Sequence, residues 1–159
     1  MNWREFHKAA PEVAEPGAER FRRASLALIG TLRSNGWPRI SPVEPLFVSA
    51  DLILGMIWQS NKALDLLRDR RCLLHSVVTG PDANEGEFKL RGLAIPATKQ
   101  GYFSQIRERW RIAPSAALHV FVVEILAASI TTYDFDRGLM LLKRWRPEVG
   151  TVESSRTYP

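Results

Sequence analysis

The sequence predicts a mainly β protein with helices, an antiparallel β-barrel decorated by helices, and three observations predict it. Six or seven apolar segments rich in β-branched residues follow one another, most of them joined by short polar turns. Asn35-Gly36 stands between two of these segments, and it is the dipeptide that best accommodates the positive φ angles of a tight hairpin. Only two helical stretches interrupt the run of strands, whereas a doubly wound sheet needs a helix at most crossovers.

Each element follows from local pattern. Residues 1–24 hold Pro11, Pro16 and Gly17 among Ala and Glu, which predicts an N-terminal helical segment broken by prolines and packed on the barrel. Residues 25–149 form the barrel, and 150–159 are read as a C-terminal tail. "SLALIGTLR" and "PRISPVEPLFV" flank the hairpin turn. Pro42 and Pro45 cannot donate ladder hydrogen bonds, so the second arm is expected to be irregular, or to lie at an edge, near Ser41 to Pro45. "LILGMIW" reads as the next strand and leads into a helix capped by Ser60, with Ala63, Leu66 and Leu67 at helical spacing. "CLLHSVV", the loop "TGPDANEGE" and "FKLRGLAIP" follow. A helix from about Thr98 to Trp110 places Phe103, Ile106 and Trp110 on one side. "ALHVFVVEILAASITTY", the turn "DFDRG" and "LMLLKRW" complete the strands.

Composition narrows function by exclusion. A chain of 159 residues, 45% hydrophobic, is the size of one domain. Its 22 Lys plus Arg against 17 Asp plus Glu give a net charge of +5 and a surface that attracts anions. The single cysteine, Cys72, excludes an intramolecular disulfide and reads as a small buried hydrophobe in a protein of a reducing interior. No signal-like N-terminus is visible, and "LHVFVVEILAASI" is too short and too charged to cross a bilayer; a cytoplasmic protein without a membrane partner is the expectation. His7, His75 and His119 lack metal-ligand spacing, so no metal is expected. His75 and Ser76 point to opposite faces of a strand and cannot work as base and nucleophile. The clusters "RDRR", "RERWR" and "KRWR" fit helix ends and core anchors better than a nucleic-acid surface, and nucleic acid is not expected as a partner.

One local pattern does suggest a ligand. Lys62 lies in the first turn of the helix capped by Ser60, where the dipole repels cations and favours anions. Free amides, a hydroxyl and a lysine at one helix start form a phosphate-binding arrangement. Read alone, such a lysine is more often simply solvated. Arg39 and Ser41 alternate on one face of the proline-bearing arm; if that arm pairs with the "LILGMIW" strand, Arg39 reaches the same anion.

The ordered set of segments "LALIGTLRSNGWPRISPVEPLFV", "LILGMIWQSNKALDLLRDRRCLLHSVV", "EFKLRGLAIP", "HVFVVEILAASITTY" and "LLKRWRP" resembles the pyridoxamine 5'-phosphate oxidase-like proteins of the FMN-binding split-barrel group. Its most specific parts are Gly36, Pro38, Ser41, Pro42 and Val43 in the arm, and Ser60, Lys62, Ala63 and Leu66 at the helix start. The resemblance implies a six-stranded antiparallel split β-barrel, a homodimer, and FMN in grooves between the subunits. It implies that Ser60 and Lys62, with Arg39 as a third, hold the FMN phosphate. The isoalloxazine edge would run along Ser41, Pro42 and Val43 and along Met56, Ile57 and Trp58, with Trp145 and Arg146 supplied by the other subunit. Flavin-mediated hydride transfer to or from a small molecule is the implied activity, with substrate contacts from "TGPDANEGE" and from Arg107 to Ser115. An F420-dependent reductase and a non-catalytic flavin-binding or stress-related module are alternatives on the same fold. Many relatives carry Asn shortly after the lysine, where this chain has Asp65, a carboxylate one turn from the implied phosphate.

Overall fold

The computed structural model describes residues 1–80 and 86–157. Helix α1 (Trp3–Ala9) opens on a capping box, in which Asn2 and Glu5 satisfy each other's backbone amides. Pro11 starts α2 (Pro11–Ala24) at a position where its missing amide costs nothing. Pro16 lies inside α2 without ending it, so the expected break occurs at Pro11 alone. The buried face of Val13, Ala14, Ala18 and Phe21 holds α2 together across the missing hydrogen bond.

Nine strands form among the described residues, against the seven segments read from local pattern and the six strands that the resemblance implies. They are β1 (Ala27–Leu32), β2 (Pro38–Val43), β3 (Pro45–Val48), β4 (Asp51–Ile57), β5 (Arg71–Ser76), β6 (Glu87–Pro96), β7 (Leu118–Asp134), β8 (Leu139–Arg146) and β9 (Gly150–Thr157). Helix α3 (Asn61–Arg68) joins β4 to β5, and α4 (Gln100–Trp110) joins β6 to β7. Two differences raise the count. The proline-bearing arm divides at Glu44 into β2 and β3, and residues 150–157, read as part of a tail, pair with β8 as β9.

All strand pairs are antiparallel, in the order β2-β1-β5-β6-β7-β4-β3. Pro38, Pro42 and Pro45 sit in the two terminal strands of that order, where their missing amides are tolerated. Only Glu44 separates β2 from β3 in the chain, so the sheet must curl until its two edges meet there. It does so without a ladder between them, which leaves the curled sheet open. The β1–β2 hairpin turns at Asn35-Gly36: Gly36 adopts φ +83°, and the Arg33 amide donates to the Trp37 carbonyl at 2.9 Å.

The second opening is set by the length of β7. One of its edges pairs with β6 over residues 121–131. Its other edge pairs first with β4, over 118–122, and then with β8, over 128–134. In the gap between those partners Ile125 exchanges backbone hydrogen bonds with Met1, donating at 2.8 Å and accepting at 3.2 Å. The N-terminal segment thereby fills the place where the sheet divides. Phe6, Phe21, Phe88, Phe121 and Trp145 lie in one core shared by α1, α2 and the inner sheet face. On another surface of the sheet, Tyr102 and Ile106 of α4 pack against Ile53, Leu118 and Val120. No helix among the described residues is long and apolar enough to cross a membrane.

Candidate functional site

Strand β4 ends at Ile57, and Gln59, at φ +59°, turns the chain into α3. Ser60 takes the extended N-cap conformation, yet its side chain caps nothing: its Oγ is buried and has no hydrogen-bond partner. The first amides of α3 have no acceptor within the helix. Beside them, Lys62 Nζ donates to the Pro42 carbonyl at 2.6 Å. Burial lowers the Lys62 pKa from the ordinary lysine value. The helix start and the proline-bearing arm thus meet at the lysine. An orphaned hydroxyl, the first amides of a helix and a lysine thus belong to one helix start, the kinds of donor a phosphate ester takes, although of Ser60 and Lys62 only Lys62 lines the adjoining cavity.

Asp65 and Arg39 do not lie as the sequence suggested. Asp65 is only 4% exposed and turns inward. Arg39 Nε donates to its Oδ2 at 2.7 Å, Thr31 Oγ1 donates to the same oxygen at 2.9 Å, and Arg68 donates to Oδ1 at 3.4 Å. Burial alone would raise the Asp65 pKa, but the bonds from Arg39 and Thr31, the Arg39 charge and Arg68 outweigh it, so the carboxyl stays below its ordinary value. The carboxylate therefore does not confront the helix start. Arg39, offered as a third phosphate ligand, is occupied by Asp65 instead. β2 pairs with β1 and not with β4, which removes the route by which Arg39 was expected to reach the anion.

Between β2, β4 and α4 lies a cavity of about 640 Å³, lined by Pro42, Val43, Met56, Ile57 and Lys62 together with Leu26, Glu44, Gly55, Arg109, Trp110 and Ile112. Of the positions that the resemblance implied, Pro42 and Val43 of the arm, Met56 and Ile57 of β4 and Lys62 thus line one cavity. Ser41 lies half-buried in β2, on the same side as Arg39. Trp58 stacks on His119, with ring centroids 4.4 Å apart and 12° between planes, outside the cavity lining. Trp145, expected to serve a partner's site, is 2% exposed in this chain's own core, with its ring 4.8 Å from that of Phe6. Arg146 is exposed at the end of β8.

Sequence reading missed Glu44, whose flanking prolines were visible but whose side chain carried no motif. From the stretch 107–115, Arg109, Trp110 and Ile112 do line the cavity. Residues 81–85 of the other expected substrate loop lie outside the described residues. Within the basic clusters Arg68 pairs with Asp65, Arg71 with Asp69 and Lys143 with Glu153, while Arg109 lies 3.6 Å from Glu44. His75 bonds Glu87 at 3.0 Å while the Ser76 hydroxyl accepts from the Phe88 amide, so the two are separately employed. Burial pushes the Cys72 thiol up to about 12, which leaves it inert as a nucleophile.

No family model and no curated protein matches the chain. Solved structures do match its fold. PhzG from Burkholderia lata 383, solved with tetrahydrophenazine-1-carboxylic acid, superposes with a TM-score of 0.67 at 12% identity, over 94% of this chain and 93% of that one. A pyridoxamine 5'-phosphate oxidase-related, FMN binding protein from Nostoc punctiforme gives 0.61 at 12% identity, over 92% and 96%. A heme binding protein from Mycobacterium smegmatis gives 0.54 at 12% identity, over 90% and 88%. The chain thus has the fold of the pyridoxamine 5'-phosphate oxidase-like proteins. At such identities the likeness establishes the fold alone, and the solved proteins sharing it differ in what they bind.

Proposed function

We propose that the protein binds FMN as a homodimer and is a flavin-dependent oxidoreductase acting on a small molecule. The observation that carries this reading is the start of α3, where Ser60 Oγ is buried without a partner and Lys62, two residues on, bonds the Pro42 carbonyl and lines the cavity. FMN would supply hydride transfer. The chain's part is to hold the phosphate at Ser60 and Lys62, and to offer the ring the backbone of β4 and of the edge strand β2, where Pro42 carries no amide to pair with a further strand. A bound phosphate would also reverse the electrostatics of Lys62, turning an unfavourable cation at a helix start into a paired one.

Lys62→Ala is expected to weaken FMN binding about tenfold or more, the loss of a charge-assisted hydrogen bond. Quenching of flavin fluorescence on titration measures it, and an unchanged dissociation constant would remove the phosphate role. F420, with its acidic tail, is the alternative cofactor, and parallel titrations separate the two. Cofactor binding without turnover of NADH, NADPH or oxygen would support the non-catalytic alternative.

The homodimer rests on the outer sheet face. Ile40, Gly30 and Leu73 lie in register across β2, β1 and β5, with Ile40 72% and Leu73 43% exposed, and Leu28 is exposed beside them. A row of apolar side chains on a sheet face is a surface that a second copy would cover. Arg144 and Arg146 continue that face beyond β7, which would let Arg146 of the partner subunit approach the cofactor. Ile40→Asp is expected to give a monomer in sedimentation velocity and to weaken FMN binding with it; a variant that stays dimeric would place the interface elsewhere.

A further inference from the structure

The cavity has a second charged end, remote in sequence from Lys62. Arg109, in the last turn of α4, directs its Nε toward Glu44 Oε2 at 3.6 Å, and both side chains are about half exposed, at 50% and 42%. That separation exceeds the 2.7–2.9 Å of a strong charge-assisted bond. The pair is therefore loose, with little to resist its exchange for another partner. Glu44, Arg109 and Trp110 also line a neighbouring cavity of about 260 Å³, together with Arg22 and Phe47. They form the partition between the two spaces. Trp110 is seated there because Gly55 has no side chain: a Cβ on Gly55 would lie 2.6 Å from Ile106 and 3.0 Å from Trp110. The wall thus consists of a fixed indole edge and a loosely held ion pair.

The charges on this wall are unequal. Arg109 and Arg22 outnumber Glu44, and the C-terminal end of α4 is a favourable place for the Arg109 guanidinium. Arg22 itself lies over the Phe47 ring, 5.0 Å from its centroid. An entering ligand thus meets apolar Leu26, Met56, Trp110 and Ile112 and, at the far end, a guanidinium with a replaceable partner.

We infer that this end of the cavity is the substrate subsite, that it selects a carboxylate carried on a flat apolar body, and that such a carboxylate takes Glu44's place on Arg109. The apolar body lies against Trp110, and Glu44 swings toward solvent and Arg22. The subsite deepens the flavin reading, on which it rests only for the role of substrate; binding at Arg109 stands on this geometry alone.

The test uses naphthalene-1-carboxylate, 1-naphthalenemethanol and 1-naphthylmethylamine as probes, titrated calorimetrically into the full chain, with FMN titrated separately. The carboxylate is expected to bind at least about tenfold more tightly than the alcohol and the amine. Arg109→Gln should abolish that preference, and Arg109→Lys should restore part of it, since a single ammonium keeps the charge but loses the planar fork. Glu44→Gln should tighten carboxylate binding severalfold by removing the competitor. Circular dichroism confirms that each variant is folded. Equal binding of carboxylate and alcohol, or a carboxylate preference that survives Arg109→Gln, would overturn the inference while leaving the FMN reading intact. Loss of FMN binding with the carboxylate preference retained would overturn the FMN reading alone.

Discussion

Replacing Asp65 by Ala is expected to destabilise the protein by about 3 kcal/mol and to lower its melting temperature by roughly 6–12 °C. Asp65 is the acceptor on which Thr31, Arg39 and Arg68 converge, tying β1, β2 and α3 together. Removing it strands the Arg39 guanidinium, whose side chain is only 20% exposed, and a buried charge without its partner costs more than the pair contributed. The pH dependence follows from the lowered Asp65 pKa. A carboxylate held below its ordinary value contributes its stabilisation fully above the unfolded-state pKa, near about 4, and loses it as pH falls through the folded-state value. The gap between the wild type and Asp65→Ala should accordingly be widest near neutrality and shrink in acid. Urea denaturation across that range measures it. A variant within about 1 kcal/mol of wild type at neutral pH, or a gap that does not close in acid, would show that the network is not what holds α3 to the sheet.

That network also marks the limit of what was legible in the chain. The β1–β2 hairpin was readable because one dipeptide determines it, and the edge positions of β2 and β3 because a missing amide cannot be placed in a central strand. Lys62 was readable because the start of a helix is a local feature. The fate of Asp65 was not, since it depends on Arg39, 26 residues away, and on which face of β2 turns inward. β7 announced its length and its β-branched composition, yet nothing local said that one of its edges would be divided between β4 and β8. β9 was missed for a different reason: "GTVESSRT" is polar and buries neither face, so it lacks the alternation that identifies a strand. Glu44 belongs with Asp65. Its partner Arg109 comes from a helix distant in sequence, and only the curl of the sheet brings the two together.

Trp145→Ala is expected to cost about 4 kcal/mol, the loss of a large buried aromatic, and it separates two roles for the same ring. In β8 only Trp145 is buried; its neighbours along the strand are half-buried or exposed. Its ring meets that of Phe6 at an interplanar angle of 50°, so one side chain fastens the β8–β9 extension to α1. If that is its work, the variant should melt well below wild type yet keep its FMN affinity at a temperature where it remains folded. Trp145→Phe should recover much of the stability. A ring serving the partner's cofactor would give the opposite result, with a modest loss of stability and a large loss of FMN binding. A double-mutant cycle with Phe6→Ala isolates the contact, because a close aromatic pair couples by about 1 kcal/mol beyond the area it buries. Coupling near zero would mean that Trp145 is held by the remainder of the core, and that α1 could leave the sheet without disturbing β8.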